Sequence, residues 1–174
     1  YRDVHGSHEE AERVIALAAA DGSARDIAFQ LVLAECRASQ AGYLVAKGDY
    51  DEAEKLHMEA LDLRRQVLGM DHFKVASSLS HLGNIALLKS DFRKASRLIG
   101  ESLAMREAIF PKQHPAIAAS LYLKGHLLFT IGQYKEAGPL LAKSLRTYKI
   151  CLGQKHPSVG QVLLAIGELS REMG

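Results

Sequence analysis

The sequence has no tryptophan, only two cysteines and four prolines, and aromatic residues make up 6% of it. Cys36 and Cys151 stand far apart, in neither metal-ligand nor redox spacing, so a disulfide framework is not indicated and a reducing, cytoplasmic setting fits best. No apolar run approaches the roughly 20 residues of a membrane span, because charged or polar residues interrupt every candidate. A glycine-rich phosphate loop following a strand is missing, as are a zinc-type cysteine cluster and a nucleophile–base pair on neighbouring turns. The chain is therefore expected not to be an enzyme and to take no cofactor or metal. It opens on Tyr1 with no basic-then-apolar leader, which reads as a piece of a longer protein.

What is abundant is Ala, Leu, Lys, Arg and Glu, the residues that lose least side-chain freedom in a helix, and 48% hydrophobic content suffices for a continuous core. Sliding the sequence on itself gives one register of 42 residues. In it Tyr50, Phe92 and Tyr134 correspond, as do Ala53, Ala95 and Ala137, Leu61, Leu103 and Leu145, and His72, His114 and His156. Such self-similarity means stacked supersecondary units.

Each unit reads as two helices, A and B. Val75, Ala76, Leu79, Leu82 and Ala86 fall at helical spacing, and Phe92, Ala95, Leu98, Ile99 and Leu103 do so again. Small residues mark the A–B crossing: Gly83 and Gly125 midway along A, Ala95 and Ala137 early in B. Gly48–Asp49 and Gly132–Gln133 supply A-to-B turns, Gly69 and Gly153 end B helices, and Pro115 and Pro157 sit in the first turn of the next A helix. Pro139 falls inside a B helix and predicts a mild solvent-side kink. The stretch Gly6 to Glu12 lies one period before Gly48 to Glu54, so it reads as the B helix of an earlier, interrupted repeat. Helices are expected over 8–20, 24–47, 50–68, 74–89, 92–109, 115–131, 134–151 and 157–172. The fold class is all-α, a solenoid of about eight helices in antiparallel pairs, forming a single array over residues 1–174. Its parts are a partial repeat at 6–34, repeats at 35–73, 74–115 and 116–157, and a last helix over 158–174.

The unit with Gly132-Gln133-Tyr134-Lys135-Glu136-Ala137, followed by a long B helix ending in Leu152-Gly153-Gln154-Lys155-His156-Pro157, resembles the kinesin light chain class of tetratricopeptide repeat. The likeness covers about residues 35–170, in three mutually consistent copies. It implies a right-handed superhelix whose A helices line a concave groove that receives a peptide or helix of another protein. An Asn–Asn pair in helix A binds the peptide backbone in that class; the matching positions here are Ser80–His81 and Tyr122–Leu123, so the clamp does not carry over. The carboxylate clamp of chaperone-binding repeats needs Lys and Arg, and neither occurs among Ala38, Gly42, Val45, Ser77, Ser80, Asn84, Leu88, Tyr122, His126 and Thr130, the expected groove lining. With His81 beside that lining, the candidate partner site is Ser77, Ser80, His81, Asn84, Leu88, Tyr122, His126 and Thr130. The fold leaves two functions open: an interaction scaffold or adaptor, or a regulatory or oligomerising arm of a larger enzyme or NTPase.

His72, His114 and His156 recur at the repeat period, sit one repeat apart and cannot share a metal; they are expected to cap and pack the B-to-A turn. Charge is uneven: residues 1–62 hold 6 basic against 13 acidic side chains, residues 63–155 hold 15 against 5, and residues 156–174 hold 1 against 2. Arg93, Lys94, Arg97, Lys135, Lys143 and Arg146 are expected to project from B helices as a solvated stripe. Without interleaved aromatics this stripe disfavours nucleic acid as a partner, whereas an acidic protein or head-to-tail self-association through the terminal helices is compatible with it.

Overall fold

The computed structural model describes residues 23–174, and every regular element among them is a helix. In chain order these are α1 (Ser23–Lys47), α2 (Tyr50–Leu68), α3 (Phe73–Leu88), α4 (Phe92–Ile109), α5 (Pro115–Thr130), α6 (Tyr134–Leu152) and α7 (Pro157–Met173). They are the seven expected helices from residue 24 onward, with ends shifted by a residue or so; the helix expected over 8–20 lies outside the described residues. The chain divides into two compact units after Ser78, within α3.

In the first unit α1 packs along α2. Ala34 and Ala41 on α1 and Ala53 and Ala60 on α2 are wholly buried, and their short side chains let the two backbones approach. Arg64 of α2, which is not among the basic side chains expected to project, is buried too. Its Nη1 donates to Ser78 Oγ at 2.6 Å and its Nη2 to Glu35 Oε2 at 3.0 Å, while Lys74 Nζ donates to Glu35 Oε1 at 2.7 Å. The Lys74 hydrogen bond, aided by the Arg64 charge, holds the Glu35 carboxyl below its usual range although burial acts the other way.

In the second unit α5 packs against α4 and α6, and α7 packs on α6. The glycines of the A helices are where the pairs interlock. A Cβ built on Gly83 would come within 2.7 Å of Ile99 Cγ1, and one on Gly125 within 2.9 Å of Leu141 Cδ2, so only glycine admits the facing branched side chain. Ala95 and Ala137, one turn before those side chains, are fully buried. The arginine of the first unit recurs one period later: Arg106 Nη1 donates to Ser120 Oγ at 2.8 Å and to the Ala116 carbonyl at 3.0 Å. A further period on, Tyr148 and Val162 take the places of the arginine and the serine, and both are buried. That junction thus replaces a desolvated cation and its hydroxyl acceptor with apolar contact and one phenol.

Turn chemistry recurs in the same way. Gly48 and Gly132 hold φ of 84° and 80° between A and B helices, and the equivalent Ser90 is forced to φ 61°. Asp49 Oδ1 and Asp91 Oδ1 accept from the backbone N–H three residues on, at 3.4 and 3.0 Å, and so cap α2 and α4. Gly69 and Gly153 end α2 and α6. α6 runs unbroken through Pro139, which is exposed. At the B-to-A turns the three periodic histidines act as caps. Nδ1 of His72, His114 and His156 accepts from the N–H of Lys74, Ala116 and Ser158 at 3.1, 3.1 and 3.2 Å, with Pro115 and Pro157 opening α5 and α7. Phe110 stacks on His114 with centroids 3.8 Å apart.

A ring nitrogen can accept only while it carries no proton. Burial, and then the nearby Arg106 charge, lowers the His114 pKa; burial, Lys74 and Arg64 lower that of His72. The unfolded chain, with imidazoles near the ordinary ~6.5, therefore takes up protons that the folded chain refuses.

Three outcomes follow from this packing. Ala95→Phe or Ala137→Phe should destabilise the chain by about 1–3 kcal/mol through overpacking, while Lys143→Ala, on the exposed face of α6, stays near neutral; thermal unfolding followed by circular dichroism compares them directly. Ser90→Gly should raise the melting temperature, since relief of about 1–2 kcal/mol of left-handed strain exceeds the ~0.4–1 kcal/mol of added freedom in the unfolded chain. Melting temperature should fall as pH drops from about 7.5 through 6.5 toward 5, where the histidine contribution is lost. Replacing His72 and His114 by Asn, which accepts at either pH, should make that fall shallower, and an unaltered slope would mean that the caps do not carry it.

Candidate interaction surface

The expected partner residues lie on two A helices. Ser77, His81, Asn84 and Leu88 occupy α3, with Ser77 in the first unit and the rest in the second; Tyr122, His126 and Thr130 occupy α5. Leu88 is an exposed large apolar side chain, His81 is exposed, and Asn84 is half-buried. Ser80 departs from expectation, being 6% exposed. Tyr122 stands in the same column one period later and is half-buried, for a phenol reaches beyond the helix surface where a hydroxymethyl does not.

On α5 the candidate residues Tyr122 and His126 begin a row of rings that runs on through Phe129 to Tyr134 at the start of α6. The rings of Tyr122 and His126 stack with centroids 6.0 Å apart; His126 and Phe129 follow at 6.5 Å, and Phe129 and Tyr134 at 5.6 Å. Tyr122, Phe129 and Tyr134 rest on the core shared by α5, α6 and α7 and leave part of each ring in solvent. Aromatic side chains held this way lose little freedom when a ligand covers them. Thr130 Oγ1 donates to the His126 carbonyl at 2.8 Å, so its hydroxyl belongs to the end of its own helix.

Glu168 of α7 completes this surface. Its charge raises the Tyr122 pKa after burial has already done so, and it opposes the burial that lowers the pKa of His126. The site thus offers a neutral imidazole with a donor and an acceptor, a phenol and an exposed carboxylate. Glu168 was missed by the sequence reading, although the period had a signal for it: Asn84, His126 and Glu168 stand at 42-residue steps in one column. Elsewhere, among the described residues, no three His, Cys, Asp or Glu side chains are placed to hold a metal ion, and no helix is long and apolar enough to cross a membrane.

Comparison with known proteins agrees with the repeat. Two family models, each described as tetratricopeptide repeat, match residues 35–108 and 117–158, together more than half of the chain. No curated protein matches the sequence. Among solved structures, BtubC (BKLC) from P. vanneervenii superposes with a TM-score of 0.72 at 18% identity, over 99% of this chain and 66% of that one. The present chain therefore spans just under two thirds of the length of BtubC. Two crystal structures of a Podosopora anserina putative kinesin light chain with nearly identical TPR-like repeats, one of them a single-residue variant, superpose at TM-scores of 0.62 and 0.60, each at 18% identity. They cover 97% of this chain and 85% and 86% of their own. The all-α fold of paired helices is that of these solenoids, and the chain belongs to the tetratricopeptide repeat family.

Proposed function

We propose that the chain is a non-catalytic interaction scaffold, acting in the cytoplasm, that takes a peptide or helix of another protein against the A-helix face carrying Asn84, Leu88, Tyr122 and His126. The observation that supports this most is the row of part-exposed rings from Tyr122 to Tyr134, seated on the core and edged by the Glu168 carboxylate. Rings of this kind supply contact area, and the imidazole and carboxylate supply direction, since they favour a ligand that brings apolar side chains and at least one N–H or basic donor. The departure from the Asn–Asn clamp at Ser80–His81 and Tyr122–Leu123 points away from backbone clamping and toward recognition through side chains. Ser80 enters only as a buried wall of this face, and Thr130 as its margin.

An array of overlapping peptides from proteins captured by the chain would identify a ligand. Asn84→Ala combined with Tyr122→Ala should then weaken that ligand by more than about tenfold while leaving helicity intact and lowering the melting temperature only modestly, by the packing that the part-buried Tyr122 ring loses. Unchanged affinity in the double variant would remove the groove assignment.

A further inference from the structure

The B helices α2, α4 and α6 repeat one frame but carry different charges on the side turned to solvent. Three columns of that side show it at 42-residue steps: Asp51, Arg93 and Lys135; Glu59, Glu101 and Lys143; Asp62, Ala104 and Arg146. Glu59 is half-buried and the other eight are exposed. The frame is thus acidic on α2, mixed on α4 and basic on α6. Exposed Lys149 joins the α6 set, and at about 100° per residue the four cations share an arc of about 120° along roughly 21 Å of helix. On α4, Arg97 finds Glu101 at 3.1 Å, but the α6 residues in those two columns are Pro139 and Lys143. Lys135, Lys143, Arg146 and Lys149 make no ion pair among the described residues. Lys143, Arg146 and Lys149 follow one another at three-residue steps and repel. Solvation alone does not call for this segregation, since α4 faces water with both signs; a like-charged α6 suits an acidic cover.

The chain carries a face that fits. On the solvent side of α2, Lys55 lies 3.4 Å from Glu52 and Arg37 of α1 lies 2.7 Å from Glu59, and with Asp51 and Asp62 the face stays net acidic. Asp51 and Asp62 stand eleven residues apart, as do Lys135 and Arg146, so the sign inverts between α2 and α6 while the spacing is kept. Eleven residues are about three helical turns, which leaves both ends of each pair on one side of its helix. Laid antiparallel, the two helices therefore bring Asp51 to Arg146 and Asp62 to Lys135 together. In that register Met58, 50% exposed, falls opposite the exposed Pro139, giving the centre of the contact an apolar patch. We propose that the solvent side of α6 in one copy of the chain docks antiparallel on the solvent side of α2 in a second copy. The contact joins two different faces, so each copy has one of either kind to offer. No aromatic ring is interleaved with the α6 cations on this side, which sets nucleic acid behind a protein partner. The inference is independent of the peptide-binding reading, since both faces belong to B helices.

Sedimentation velocity of the full chain over a wide concentration range tests it, at ionic strengths of about 0.01 and 1 M, between which the Debye length shrinks from ~30 to ~3 Å. The wild type should associate at the lower salt and do so at least about tenfold more weakly at the higher. One variant, Lys135→Asp with Arg146→Asp, makes α6 acidic; a second, Asp51→Lys with Asp62→Arg, makes α2 basic. Each exchange borrows the residue that the same column already holds in the other helix, so the helices accept it, and circular dichroism should show unchanged helicity. Alone, each variant should stay monomeric where the wild type associates, because its two faces now bear one sign. Mixed in equal amounts, the two should associate again, since the faces of one are opposite in sign to those of the other. A wild type that is monomeric throughout at low salt overturns the proposal. So does association that salt leaves unmoved, a single variant that associates like the wild type, or a mixture that stays monomeric.

Discussion

The fold of the second unit depends on the absence of one carbon atom. At Gly83 and Gly125 the A helix lacks the Cβ that would otherwise occupy the place of Ile99 or Leu141, and the B helix settles into the gap by its most branched side chain. Everything nearby is adjusted to that approach: alanines where the helices cross, buried leucines above and below, and serines deeper in, whose hydroxyls find partners because the backbones are close. Ser144 Oγ donates to the Ala118 carbonyl at 2.8 Å, a bond that spans the pair and would be lost with any widening of it.

Between pairs a different interaction takes over, and it changes along the chain. Arg64 and Arg106 each reach from a B helix to a serine on the next A helix, and at the third station Tyr148 and Val162 stand instead. The exchange is concerted: a cation and the oxygen that receives it leave together, as they must, because a buried guanidinium without acceptors, or a hydroxyl without a donor, is costly. Tyr148 and Arg106 still sense each other, the burial of both being the larger influence on each.

Much of this was legible in the sequence because the repeat states it several times over. Three copies of Ala, Leu and His at a common spacing fixed the helix phase, the turn glycines and the capping role of His72, His114 and His156. Buried arginines were not legible: Arg64 and Arg106 resemble in composition the exposed Arg93 and Arg97 of α4 and Arg146 of α6, and only the facing serine distinguishes them. Side-chain exposure on the A helices was legible in part: Tyr122 and His126 keep part of each ring in solvent, whereas Ser80 is buried because a short side chain cannot reach solvent from that column.

The one-sided burial of α7 has a consequence for how the second unit opens. Helices α5 and α6 are packed from more than one direction, so exposing their amides requires the unit to come apart. α7 sets Val159, Val162, Ala165 and Leu169 on its neighbours and leaves the opposite side to water, so about half of the usual apolar gain must offset the ordering of its whole backbone. Its amide hydrogens should exchange with solvent sooner than those of α5, in a cooperative block from Ser158 onward, making this helix a hinged flap whose protection registers anything that settles against it.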